Sequence, residues 1–114
     1  MRKLYSDVTA ESTATTGTGS VTLAQMAGWA RFNDRFSSGD RVYYSIRSGS
    51  NWEVGYGTYN GSHVLARTTI LGTLNASTWT SGGSALSLSG TSVVRAVAPE
   101  ALLQAFIREE VSFV

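Results

Sequence analysis

The stretch "NWEVGYGTYNGSHVLARTTIL", residues 51–71, decides the fold because its apolar and aromatic residues recur at every second position on both sides of a turn. Residues of one parity in a β-strand lie on the same face of the sheet. Asn60-Gly61 follows the first run, and both residues tolerate the positive φ angles that tight hairpin turns require. The pattern predicts two antiparallel strands, the first of which directs four side chains into the core: Trp52, Val54, Tyr56 and Thr58.

A further strand is predicted before these two, because "RVYYSIR" at residues 41–47 lies between the turn signals "SSGD" and "SGSN". Its alternation places Val42, Tyr44 and Ile46 toward the core and Tyr43 on the opposite face. We therefore expect three consecutive antiparallel strands, arranged as a meander.

Three residues of the meander do not fit simple alternation of apolar and polar side chains. Gly55 and Gly57 offer nothing to pack, and glycine inside a strand indicates a bulge or the close approach of another backbone. Arg67 has two interpretations: a strand-edge arginine with satisfied hydrogen bonds, or a bidentate anchor for a carboxylate such as Glu53 across the hairpin. Both interpretations give Arg67 a structural role.

Composition divides the chain into three segments. We expect a flexible N-terminal arm and linker over residues 1–18, a β-domain over 19–98, and an amphipathic helix with a tail over 99–114. The predicted fold class is all-β, a small antiparallel β-sandwich or jelly-roll-like domain of six to eight strands with a short C-terminal α-helix. The helix would carry an apolar stripe suited to docking on a partner: Leu102, Leu103, Phe106 and Ile107.

Within the β-domain, the stretches outside the meander give weaker signals. Val21 and Leu23 are predicted to share the buried face of a strand, and Phe32 and Phe36 to anchor the next segment to the core. The Ser/Thr/Gly-rich residues 72–83 read as a loop.

The composition excludes several classes of function. The 114 residues carry a formal net charge of +1 with one lysine and scattered arginines, so no nucleic-acid-binding face is predicted. The absence of cysteine excludes disulfides and thiol chemistry. No apolar run is long enough to span a bilayer, and "MRKLYSD" lacks the apolar segment of a signal peptide, so we expect a soluble product made inside the cell.

Catalytic and metal-binding patterns are not found in the sequence. His63, the single histidine, lies beside a turn, and no Ser-His-Asp arrangement follows from its position. The carboxylates show no spacing typical of acid–base pairs or of metal ligands. The "GTG" at residues 17–19 lacks the strand–helix context of a phosphate-binding loop. We therefore predict no catalytic residue, no metal and no cofactor.

The aromatic side chains are better candidates for contacts with a partner. Tyr43 and Tyr59 have the parity opposite to the predicted core face, and Trp79 lies in a Ser/Thr/Gly-rich stretch. Tryptophan and tyrosine also stack on sugars, so a carbohydrate-binding surface is an alternative use of the same residues.

Five motifs together resemble those of small tailed-bacteriophage virion structural proteins. They are "GTGSVTL" (17–23), "GWARF" (28–32), "GDRVYYSI" (39–46), "WEVGYGTY" (52–59) and "LARTTIL" (65–71), and the similarity covers about residues 9–98. Two features depart from the common pattern: "GTLNAS" replaces the usual Ser-Ser-Asn after the last motif, and the C-terminal helix is extra.

The resemblance implies a non-enzymatic head-fibre, capsid-decoration or tail-fibre-attachment component, made in the bacterial cytoplasm and assembled into the virion. It implies a homo-oligomer, with a trimer expected, that docks onto capsid, portal or connector, or tail-fibre proteins, without nucleic acid or membrane. The alternative function is a carbohydrate-binding module that recognises host surface glycans. A hydrolase of cell-wall sugars is a third hypothesis, weakened by the lack of a recognisable acid pair.

Overall fold

A seven-stranded antiparallel sheet dominates the computed structural model, which describes residues 8–97. The strand order is β3-β1-β9-β4-β5-β7-β8, and β2 pairs with β6 in a separate two-stranded sheet. The elements are β1 (Ala10–Thr13), β2 (Val21–Thr22), β3 (Ala24–Gln25), α1 (Phe32–Arg35), β4 (Arg41–Ser48), β5 (Asn51–Thr58), β6 (Val64–Leu65), β7 (Thr69–Asn75), β8 (Thr78–Ser81) and β9 (Ser92–Ala96).

The predicted all-β class is confirmed, with nine mostly short strands within residues 8–97 rather than six to eight. The helix predicted over residues 99–114 lies outside the described residues. Among residues 8–97, no helix has the length and apolar character needed to cross a membrane.

The core lies on one side of the large sheet. Val42, Tyr44 and Ile46 of β4 are fully buried there, as the alternation predicted. Shorter elements cover them in a second layer, which makes the domain sandwich-like. The predicted burial of four residues in this layer is also confirmed: Val21, Leu23, Phe32 and Phe36.

The meander is confirmed, since β4 pairs with β5 and β5 pairs with β7. The predicted core face of β5 is wrong. Tyr44 lies opposite Gly55 and Val42 opposite Gly57, and residues opposite each other in an antiparallel pair share a face. The inward residues of β5 and its continuation are therefore Glu53, Gly55, Gly57 and Tyr59, while the outward ones are Trp52, Val54, Tyr56 and Thr58.

The glycines explain why the less apolar side of β5 faces inward. A Cβ atom at Gly57 would overlap the carbonyl oxygen of Ala66, and one at Gly55 would overlap that of Thr69. The register between β5 and β7 also shifts between Val54 and Gly55. The predicted bulge and the predicted close approach of another backbone are thus both present, and backbone fills space that side chains would otherwise occupy.

The return strand predicted through "HVLARTTIL" is divided into two. β6 leaves the large sheet and pairs with β2, whereas β7 resumes the pairing with β5. The break at residues 66–68 lets the side chain of Arg67 point into the domain, where it contacts Glu53.

The prediction of a flexible arm over residues 1–18 is wrong for β1. This strand lies inside the sheet between β3 and β9, with Ala10 opposite Arg95 and Thr13 opposite Ser92. Glu11 is fully buried. The Thr/Ser-rich composition of this segment does not indicate a strand, and β1 is stabilised by its pairing with β3 and β9.

Residues 72–83, predicted to be a loop, contain a hairpin instead. β7 and β8 are joined by Ala76 and Ser77, which have φ angles of 51° and 65°. Positive φ at both central residues is typical of a type I′ turn, a position where Asn-Gly is preferred. No hairpin signal is visible in the sequence here, because neither central residue is glycine or asparagine.

Replacing Ser77 with glycine should stabilise the protein by about 1 kcal/mol, because glycine adopts positive φ without the steric cost that other L-residues carry. Urea unfolding would measure the change. Ser62→Gly is the matched control: Ser62 is exposed and lies outside the residues with positive φ, so this change should give no gain. An equal gain in both variants would contradict the explanation.

Candidate functional site

A buried ion pair between Glu53 and Arg67 occupies the interior between the sheet and its covering layer. Both side chains are almost completely inaccessible, at 0% and 1% exposure. Arg67 Nε donates to Glu53 Oε2 at 3.0 Å, and Arg67 Nη2 donates to Glu53 Oε1. The bidentate anchor, one of the two interpretations open from the sequence, is the one that the structure confirms.

Every donor of Arg67 has a partner. Besides the two hydrogen bonds to Glu53, Nη1 donates to the carbonyl oxygens of Gly17 (3.0 Å) and Gly19 (3.2 Å), and Nη2 donates to that of Leu86. A guanidinium group has five N–H donors in a fixed plane. Arg67 therefore ties the β6–β7 connection to β5 and to two loops that are distant in sequence.

The carboxylate of Glu53 is equally saturated. Oε1 accepts a hydrogen bond from the backbone N–H of Leu86 at 2.7 Å, and Oε2 accepts one from the hydroxyl of Tyr44 at 2.7 Å. Each oxygen thus accepts two hydrogen bonds, which uses its lone pairs fully. Burial, reinforced by the negative charge of Glu53, raises the pKa of Tyr44 above its ordinary value of 10.0.

A second buried carboxylate ties β1 to the segment before α1. Glu11 Oε1 accepts hydrogen bonds from Arg31 Nε (3.0 Å) and Nη2 (2.9 Å), and Oε2 accepts one from the backbone N–H of Phe32 (2.7 Å). Glu11 is fully buried, whereas the Arg31 side chain is one-quarter exposed. Sequence reasoning missed this pair because its members are 20 residues apart and share no local motif.

These two networks hold the domain together. Both carboxylates are engaged in buried hydrogen bonds, Glu53 with Arg67, Tyr44 and backbone, and Glu11 with Arg31 and backbone. Within residues 8–97, no group of three acidic or histidine side chains lies close enough together to hold a metal ion.

The accessible chemistry lies on the opposite side of the seven-stranded sheet, here called the outer face. Tyr43 lies opposite Tyr56 and Arg47 opposite Trp52 across β4 and β5. Ser45, between them on β4, lies opposite Arg95 on β9. The residues that define the outer face are Arg41, Tyr43, Arg47, Trp52, Val54, Tyr56, Trp79 and Arg95.

Arginine and aromatic side chains alternate on this face and contact one another. The guanidinium carbon of Arg41 lies 4.4 Å from the ring centroid of Tyr56, and that of Arg47 lies 5.2 Å from the ring of Trp52. The rings of Tyr43 and Tyr56 are 5.2 Å apart. These cation–π contacts hold the guanidinium groups over the rings and restrict their rotamers.

Arg95 completes the pattern, at 5.0 Å from the ring of Trp29. Among residues 8–97, ion pairs are formed by Arg31 and Arg67, and the arginines of the outer face have no carboxylate within 4 Å. The carboxylates of Glu11 and Glu53 lie on the inward side. The outer face therefore has a positive charge that the described part of the chain does not neutralise.

The residues predicted to contact a partner differ in where the structure places them: two are accessible, one is buried and four lie outside residues 8–97. Tyr43 lies half-buried on the outer face, and Trp79 is 55% exposed, so both are accessible, and their role in contacts with a partner stays a prediction. The prediction for Tyr59 is wrong: its side chain is fully buried and packs 6.1 Å from Phe32. Tyr59 continues the inward side of β5, on which Glu53, Gly55 and Gly57 lie, so it faces the core. Four predicted contact residues lie outside the described residues: Leu102, Leu103, Phe106 and Ile107.

Comparisons with protein-family models, with curated proteins and with solved structures found no match to this chain.

Substituting Glu53 with glutamine should lower the free energy of unfolding by about 3–5 kcal/mol, because it leaves the guanidinium of Arg67 buried without its counter-charge. Denaturant unfolding followed by tryptophan fluorescence would measure the loss. Arg35→Gln, at an exposed arginine of α1 outside both ion pairs, is the control and should leave stability unchanged. A loss for Glu53→Gln as small as for the control would contradict the assigned role.

Tyr44 should make the protein unstable in alkali. A tyrosine whose pKa is raised by folding stabilises the folded state fully while the pH is below its pKa in the unfolded chain, about 10. As the pH rises above about 10, the free energy of unfolding falls. Tyr44 should account for a loss of about 1.4 kcal/mol per pH unit there. Tyr44→Phe should flatten this slope in unfolding measured between neutral and strongly alkaline pH, and curves parallel to those of the unmodified protein would refute it.

Proposed function

We propose that this chain is a non-enzymatic structural component of a tailed-phage particle, and that it binds another particle protein through its outer face. The observation that carries the proposal is the composition of that face: arginines and aromatic rings in alternation, with no neutralising carboxylate among residues 8–97. Arginine, tryptophan and tyrosine are the residues that contribute most to binding at protein interfaces.

The motifs that resemble virion proteins contribute to the interior. Gly17 and Gly19 of "GTGSVTL", Tyr44 of "GDRVYYSI", Glu53 of "WEVGYGTY" and Arg67 of "LARTTIL" meet in one hydrogen-bonded network. Arg31 and Phe32 of "GWARF" bind Glu11 in the other. The resemblance thus includes the residues that hold the domain together, and strands β4 and β5 of the same motifs present Arg41, Tyr43, Trp52, Val54 and Tyr56 on the outer face.

The chemistry of the outer face favours an acidic protein surface as partner. Carboxylates can bind the exposed edges of the arginine guanidinium groups while the rings beneath contribute apolar area. Because the arginines already lie on aromatic rings, little rotamer entropy remains to be lost on binding. An acidic partner would also associate faster through electrostatic attraction, to a degree that depends on salt.

A glycan-binding function has one observation in its favour, the 55% exposure of Trp79. The rings of Trp52 and Tyr56 are less suited to sugar stacking, because guanidinium groups of Arg47 and Arg41 already lie over them. A change in tryptophan fluorescence on a glycan panel that Trp79→Ala abolishes would favour this function over protein docking.

Mass spectrometry of purified particles of the phage that encodes the chain tests the particle role directly. The chain should be present at a fixed copy number after density-gradient purification. A photo-crosslinking residue at Tyr56, on the outer face, should capture another particle protein, whereas one at Arg35 should not. Particles that lack the chain would overturn the proposal, and crosslinks from Arg35 alone would move the docking surface elsewhere.

The double variant Arg47→Gln, Arg95→Gln should bind at least tenfold more weakly to particles assembled without the chain, since each arginine at such a face contributes on the order of 1 kcal/mol or more. Fluorescently labelled protein would be titrated with these particles at two salt concentrations. Arg35→Gln is the control and should bind as the unmodified protein does. Equal binding by both variants, or no effect of salt, would contradict an acidic docking partner.

A further inference from the structure

Strand β8 forms one edge of the seven-stranded sheet. It pairs with β7 on one side, and no strand within residues 8–97 pairs with its other side. All four of its residues, Thr78–Ser81, are exposed. An unpaired edge presents a row of backbone donors and acceptors to which another strand can add.

The register identifies the free backbone groups. Asn75 and Thr78 flank the two-residue turn and form the hydrogen-bonded pair that closes a hairpin of this kind. The pairs then alternate along the ladder, so Trp79 and Ser81 direct their N–H and C=O groups away from β7. Each copy of the protein thus offers two donors and two acceptors along this edge.

The side chain of Trp79 does not obstruct the edge. A Cβ atom at Gly72 on β7 would overlap the indole ring of Trp79, so the ring lies over the glycine. The indole therefore leans across β7 and away from the free side of β8. Because Gly72 has no side chain, the indole can lie over β7, and the backbone on the free side of β8 stays accessible to another strand.

β8 is short, at four residues, but it lacks the charged and proline residues that often protect a sheet edge. It has no proline, no lysine and no inward-pointing charge, and its Thr-Trp-Thr-Ser sequence favours strand formation. The uncharged stretch that contains it runs from residue 68 to residue 94. Two identical copies can therefore meet at this edge without the repulsion that identical charges would cause.

We infer that β8 pairs with β8 of a second copy of this chain, antiparallel and about a twofold axis. The register that matches the free groups places Thr80 opposite its own counterpart and Trp79 opposite Ser81 in both directions. Trp79 and Ser81 then form two hydrogen-bonded pairs, and no outward backbone group between them is left unpaired. A contact between identical surfaces is the usual way in which a twofold dimer forms.

Such a pair joins two sheets edge to edge and places two outer faces side by side. The arginine and aromatic residues of both copies then form one doubled docking surface, and a partner with two binding sites would bind it more tightly through avidity. The inference goes beyond the proposed function, which names no oligomeric state, and its twofold pairing departs from the trimer that the resemblance implies. The pairing itself does not depend on which partner the outer face binds.

Opposite charges at Thr80 provide the sharpest test, because the register places the two copies of this residue directly opposite each other. We expect the unmodified full-length chain to show an even number of copies by light scattering and analytical ultracentrifugation. Thr80→Lys alone and Thr80→Glu alone should each halve the measured mass, whatever other contacts the copies make. Mixing the two variants at low salt should restore the original mass with equal numbers of the two variants, and high salt should weaken that pairing.

Ser81→Pro and Ser81→Thr form a matched pair of controls. Proline removes an outward donor without touching the pairing with β7, so it should also halve the mass, whereas threonine should not. Circular dichroism of every variant checks that the fold persists, and recovery of mass in the lysine–glutamate mixture shows independently that both variants are folded.

Three outcomes would overturn the inference: a monomer at every concentration, an odd number of copies, or an oligomer whose mass Thr80→Lys leaves unchanged. Failure of the lysine and glutamate variants to recombine would equally reject this register. In each case the binding of particles by the outer face can still be measured, so failure of the edge contact is distinguishable from failure of the proposed function.

Discussion

The buried pair of Glu53 and Arg67 is the interaction on which the rest of the domain depends. Two charges removed from water are tolerated only when their hydrogen-bonding capacity is filled, and here all five donors of the guanidinium group and both carboxylate oxygens are used. Three of the bonds go to backbone carbonyls of loops that have no regular structure of their own. The pair therefore fixes the path of the covering layer as well as its contact with the sheet.

This arrangement also explains how the two sides of the sheet are divided. The inward side of β5 is occupied by Glu53, by two glycines and by the backbone of residues 66–69, which lies against those glycines. Its large residues Trp52, Val54 and Tyr56 therefore lie on the outward side. The arginines of β4 and β9 then lie beside aromatic rings rather than beside carboxylates. The charged aromatic surface is thus a consequence of how the interior is built.

Much of the fold could be predicted from the sequence, because β4 and β5 follow the alternation that defines a strand. The chain does reverse after Tyr59, but the tight turn predicted at Asn60-Gly61 is a longer loop in which the positive φ angles fall on Gly61 and His63, not on Asn60. The inward face of β5 could not be predicted, since counting apolar residues favours Trp52, Val54 and Tyr56 when nothing shows that backbone will fill the space above Gly57. The hairpin at Ala76 and Ser77 could not be predicted either. Its turn residues are unfavourable for positive φ, and the pairing of β7 with β8 compensates for that cost.

The contacts of the candidate sites also fall into two groups, those that local sequence patterns can predict and those that they cannot. The contact between Arg67 and Glu53 was within reach because a hairpin brings them together, whereas the carbonyls of Gly17 and Leu86 come from distant loops whose paths no local pattern specifies. Glu11 and Arg31 are related only through the complete topology. Trp79 was recognisable as exposed, but the free edge around it was not, because the strand itself was not predicted.

The pairing of β1 with β9 has a consequence for how the domain can be attached to other structures. Ala10 and Arg95 lie opposite each other, so the described chain enters and leaves the sheet at neighbouring points on its same end. Four strand spacings, roughly 19 Å, separate β9 from the free edge at β8. A covalent fusion made at Ala10 or Ala96 would start well away from that edge, and residues 10–96 could be inserted into a surface loop of another protein without forcing the loop apart.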